Sequence, residues 1–148
     1  MSCWLLADSS QSSMADSFRD LLAWQKAMAL VTAIYRTTDS WPERERYGLT
    51  NQVRRAAVAI PSDIAEGKGR LSKKEYVQML ARARGSSYEV QTQLEIAFNL
   101  EFVDAARYEA LSADAAEVGR LLNGLMTNVR HQIDEEERRR NNSLRAKS

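Results

Sequence analysis

From Tyr76 onward, Tyr76, Leu80, Ala83, Ser87, Val90, Leu94 and Ala97 recur at alternating spacings of four and three. A seven-residue repeat held this long cannot serve a strand, whose side chains alternate with period two. It requires a helix with one face buried against other helices, in the left-handed packing geometry of bundles. A second stretch obeys the same rule: Leu49, Val53, Ala56, Ile60 and Ile64 form one apolar stripe. Ala56, Ala57 and Ala59 keep that helix thin, so a neighbouring backbone can come close. Pro61 removes one backbone donor inside it and is expected to kink it. Gly67 is placed to end it in a left-handed cap.

Two further helices complete the pattern. In the first, Leu21, Met28 and Tyr35 recur every seven residues, as do Trp24 with Val31 and Ala27 with Ile34. Phe18 and Leu22 widen that arc beyond what one bundle interior normally uses. It is expected either to be buried on two sides of its own bundle or to present part of its width, Trp24, Val31 and Ile34 among it, to another subunit. In the last helix, Tyr108, Leu111, Ala115, Val118, Leu122, Leu125, Val129 and Ile133 keep the three-four spacing. Asp16 or Ser17 can cap the first helix, and Ser72 with Glu75 forms a capping box for the third. Gly85 sits in mid-helix at a cost of roughly 1 kcal/mol, a cost that close packing against the alanines of the second helix would offset. The chain therefore reads as all-α, a left-handed antiparallel up-and-down four-helix bundle with helices at about 16–38, 48–66, 72–100 and 105–137. Residues 1–15 read as a disordered leader, with Met14 an alternative start, and residues 138–148 as a disordered basic tail.

The near-neutral total of +1 conceals three regions. Between Glu43 and Leu100 ten bases face seven acids, between Glu101 and Glu137 nine acids face three arginines, and the last eleven residues carry five bases and no acid. The single cysteine, Cys3, allows no intrachain disulfide, and a reducing, cytoplasmic setting is expected. No apolar run approaches the roughly 18 residues that span a bilayer.

Catalytic chemistry finds few footholds. A di-metal bundle site needs two Glu-x-x-His units, and the one histidine, His131, has no glutamate three residues before it. One cysteine and one histidine cannot assemble a zinc site. No catalytic residue, metal ligand or cofactor is assigned. Carboxylates remain: Asp63 and Glu66, with Glu89 beside the seam of the third helix, are expected to join Ser62 and Ser86 in a polar layer that fixes helix register. Six cations fall within about twenty residues, Arg54, Arg55, Lys68, Arg70, Lys73 and Lys74. They read as solvated charge or as a patch for a nucleic-acid backbone around the turn between the second and third helices.

Two motifs resemble one family. Tyr47-Gly48-Leu49-Thr50, Gln52, Arg54-Arg55-Ala56-Ala57, Ile60-Pro61, Ile64-Ala65-Glu66-Gly67 and Arg70 are similar to the signature of bacterial four-helix-bundle proteins related to those encoded in intervening sequences of 23S ribosomal RNA genes. Ala83-Arg84-Gly85-Ser86, Glu89 and Gln93-Leu94 repeat the likeness, which runs from about Phe18 to about Ile133. Asp63 departs from it, standing where the pattern has asparagine. The resemblance implies a bundle that assembles as a ring-shaped homopentamer with no established enzymatic activity. Distant kin accompany diversity-generating retroelements, where a basic ring contacts a polymerase and its RNA. The expected function is thus a non-enzymatic oligomeric scaffold or adaptor, the alternative an RNA- or DNA-binding accessory protein.

Overall fold

The computed structural model describes residues 17–148, and among these every regular element is helical. Cys3, Met14, Asp16 and the leader lie outside the described residues. Ser17 accepts from the amide of Arg19 and caps a short 3-10 turn, Phe18–Asp20, ahead of α1 (Leu22–Thr38). A second such turn, Glu43–Glu45, leads to α2 (Leu49–Lys68); α3 is Lys73–Asn99 and α4 is Ala105–Ala146. Ser72 caps α3 as expected, its Oγ accepting from the amide of Glu75 at 3.1 Å, which is the serine half of a capping box.

Each helix packs on two others, α1 on α2 and α4, and α3 on α2 and α4. Contacts between named residues give the directions. Arg54 near the start of α2 meets Thr38 at the end of α1, and Phe98 near the end of α3 stacks on Tyr108 near the start of α4. Lys73 at the start of α3 reaches Glu136 far along α4. Successive helices therefore run antiparallel. The core is filled by Leu30 and Ile34 of α1, Val53, Ile60 and Ile64 of α2, Leu80, Val90 and Leu94 of α3, and Leu111, Val118, Leu122 and Met126 of α4, all essentially inaccessible.

Three expectations are corrected. Gly67 does not end α2, which runs on to Lys68 and closes at Gly69 in right-handed geometry (φ −83°). Gly67 is instead the point of closest approach to α3: a Cβ there would lie 2.8 Å from Met79 Cβ and 3.1 Å from Tyr76 Cδ1. Gly85 is exposed with nothing within 4 Å of where its Cβ would be, so it makes no close approach to α2. The small residue that α3 does bury in mid-helix is Ser87, packed against α4 and not α2: its hydroxyl donates to the carbonyl of Ala115 at 3.1 Å and faces Gly119. Finally, residues 138–146 are not a disordered tail but the last turns of a 42-residue α4. Pro61 is buried within α2, which continues through it.

The turn from α3 to α4 holds the sole left-handed backbone among the described residues, Glu101 (φ 62°). The amide of Phe102 bonds the carbonyl of Ala97 and that of Glu101 bonds the carbonyl of Phe98, the paired bonds of a Schellman motif with glutamate in the position glycine usually takes.

Candidate functional site

α1 carries two apolar stripes. Ala23, Ala27, Leu30 and Ile34 are buried in the core. Leu21, Trp24, Met28, Val31 and Tyr35 repeat the same three-four spacing, centred about 110° further round at about 100° per residue. Leu21, Trp24 and Val31 are half-buried, while Met28 and Tyr35 are each 41% exposed. Trp24 packs edge-on against Phe18, with ring centroids 5.3 Å apart. Of the three residues expected at an interface, Trp24 and Val31 lie on this outer stripe. Ile34 does not: it is fully buried, because its position falls in the middle of the inner stripe.

The six cations do not form one patch. Arg54 is half-buried and occupied: Nε donates to Thr38 Oγ1 at 2.8 Å, and Nη2 donates to the Tyr35 carbonyl at 3.3 Å and to Asp39 Oδ1 at 3.1 Å. Its guanidinium lies 4.6 Å from the centre of the Tyr35 ring. A cation satisfying carbonyls and a carboxylate at the end of α1 complements the helix dipole, so Arg54 staples α1 to α2. Arg55 points about 100° away into a shallow groove between α2 and α3, beside Gln52, Ser86, Glu89 and Gln93.

Lys68 lies fourteen residues along α2 from Arg54, about 21 Å at 1.5 Å per residue. There, with Arg70 and Lys73, it rims a cleft of about 590 Å³ floored by Leu21, Tyr76 and Val129. Most of this charge is matched. Arg70 pairs with Glu66, Lys73 with Glu136, and Lys74 with Glu137 at 3.4 Å.

The expected polar layer does not assemble either. Asp63 alone of its members is buried. Burial pushes its carboxyl above the ordinary range, partly offset by the nearby Arg82 charge, with Glu66 adding to the rise. Ser62 is exposed and donates to the Val58 carbonyl of its own helix. Glu66 turns outward to Arg70, and Ser86 and Glu89 belong to the groove with Arg55. The buried polar contact that does cross between helices is that of Ser87, which the repeat had placed on the seam as a small core residue. Tyr76, which the repeat places on the buried face, is 8% exposed, and its hydroxyl has no hydrogen-bond partner among the described residues. Burial raises the pKa of that phenol.

His131 is exposed and 3.6 Å from Glu135. Among the described residues no three or more of His, Cys, Asp and Glu come together as a metal would require, and no helix is long and apolar enough to cross a membrane.

These features define a small all-helical bundle protein whose first helix carries a second apolar stripe, partly open among the described residues, with a set of ion pairs at one end. The chain belongs to the 23S rRNA-intervening sequence protein family, whose profile matches residues 19–124. Its fold is similar to the crystal structure of a protein of unknown function from the S23 ribosomal protein family of Bacteroides thetaiotaomicron, at a TM-score of 0.65 and 20% identity, over 71% of this chain and 98% of that one. No curated protein matches the chain in sequence.

Proposed function

We propose that the protein is a non-enzymatic, self-assembling scaffold or adaptor whose copies pack through the outer stripe of α1. The observation that carries this reading is the second apolar repeat, Leu21, Trp24, Met28, Val31 and Tyr35, at coiled-coil spacing on a face that the bundle leaves partly open. A closed ring of five copies, as the family likeness implies, gives such a stripe a partner in every subunit. A left-handed supercoil within each bundle follows from the seven-residue repeat, and a cytoplasmic setting suits a chain with one cysteine.

A nucleic-acid-binding role for the turn between α2 and α3 has less support, since Arg54 is committed to α1 and three of the remaining cations have carboxylate partners. The test of the scaffold reading is molar mass by light scattering for the wild type and for Met28→Glu with Val31→Glu. A wild-type oligomer that becomes a monomer of unchanged helical content is expected. A wild type that is monomeric at tens of micromolar refutes the reading, as does a double variant that stays oligomeric.

A further inference from the structure

The last turns of α4 run out past the bundle, with Arg140 alone still bordering a groove beside Leu71, Lys73 and Lys74. Ile133 is the last residue packed against the core, and Glu136 and Glu137 are tied to Lys73 and Lys74. From Arg138 to Ser148 every residue is exposed. At 1.5 Å per residue, the helix between Glu137 and Ala146 extends about 14 Å past that last attachment.

This arm holds Arg138, Arg139, Arg140, Arg145 and Lys147 and no acid. Asp134, Glu135 and Glu136 stand four residues before the three consecutive arginines, the spacing at which helices pair opposite charges. Those pairs do not form. Glu135 faces His131, Glu136 is drawn to Lys73 and Glu137 to Lys74. Among the described residues, none of the arm's cations has a carboxylate within 4.0 Å. Glu136 and Glu137 are thus spent on holding α4 to α3 and Glu135 faces its own helix, so the arm's cations stand without direct partners among the described residues.

How that charge is arranged selects the partner. At about 100° per residue the four arginines are spread round the shaft and not along one side. A membrane surface calls for an apolar face opposite the cations, and the arm offers only Leu144 and Ala146. A flat acidic protein surface would engage one side of the shaft. A groove walled by phosphates on both sides engages all of it, and guanidinium groups suit phosphate oxygens through paired hydrogen bonds.

We propose that the C-terminal end of α4 is a nucleic-acid-binding arm that enters a groove between two phosphate backbones. The inference is independent of the assembly face on α1, and the arm lies beyond the family match, which ends at residue 124.

The test is a titration of a labelled RNA hairpin and a DNA duplex of equal stem length with the full chain, at about 50 and about 200 mM salt. Four phosphate contacts imply an affinity loss on the order of 100-fold across that range. Arg138→Gln with Arg139→Gln and Arg140→Gln should lower the salt slope by about three, and lysine at the same three positions should restore it. Binding of RNA, of DNA or of both with these slopes supports the arm and names its source of phosphate. Circular dichroism should match across variants, because the arm touches no core. Absence of binding at the lower salt, a slope unchanged by the glutamine variant, or equal capture of phosphatidylserine vesicles or polyglutamate overturns the proposal.

Discussion

Tyr76 places a hydroxyl inside the protein with no partner among the described residues, although its ring helps floor the cleft at the start of α3. A buried donor without a partner costs about 1–3 kcal/mol, so Tyr76→Phe, which keeps the ring and removes the hydroxyl, should raise stability by about 1 kcal/mol. Urea unfolding should show the midpoint rising with an unchanged slope, and a lower midpoint would mean that the hydroxyl is satisfied. Asp63 is the corresponding case among acids. Its folded-state pKa lies above its ordinary 3.8, so the folded chain holds its proton more tightly than the unfolded one. The stability this confers is present below pH 3.8 and is lost as the pH rises through the elevated folded value. At pH 7 the buried charge is a liability, and Asp63→Asn should be modestly stabilising there, with the advantage shrinking on acidification. Thermal melts at pH 7 and pH 4 check this, and a gap that widens at pH 4 would contradict it. At this scale the sequence was a poor guide. Spacing identified Asp63 and Arg54 as notable but not that one is buried beside Arg82 and the other clasps the end of α1, because both facts depend on which helices become neighbours.

Helices, in contrast, were largely legible from spacing, since the three-four repeat is itself a statement about which face is buried. The repeat also announced the double width of α1, and only the assignment of Ile34 to the outer stripe went astray. What spacing could not reveal was which glycine lies against a neighbour. Both Gly67 and Gly85 sit in helices, but α3 presses on the first and open solvent surrounds the second. Gly67→Ala should therefore cost about 1–3 kcal/mol through overpacking against Met79, while Gly85→Ala should gain up to about 1 kcal/mol from helix propensity alone. Chemical denaturation of the two variants would show opposite signs, and like signs would overturn the packing described for α2 and α3. The end of α4 is illegible in the sequence for a physical reason: arginine-rich chain past the last core contact reads as solvated, and a solvated segment can be helical as well as disordered. No proline or glycine follows Gly124, so nothing in the residues stops the helix.

Viewed as a whole, the chain distributes its interactions unevenly. Apolar contact holds the bundle together and, on the reading above, joins copies along α1, whereas ion pairs gather where α3 begins and α4 passes. Assembly through the outer stripe should accordingly persist at about 1 M salt, where exposed ion pairs are screened beyond about 3 Å, so that scattering mass stays constant while nucleic acid is released. The overhang of α4 has a geometric consequence for any such assembly. Copies related by one rotation axis are equivalent, so each overhang leaves its bundle at the same height along that axis and on the same side of the particle. A closed ring would then be two-faced. Its positive charge, negligible when summed over a single chain, would be collected at one level, and the opposite side would have no counterpart.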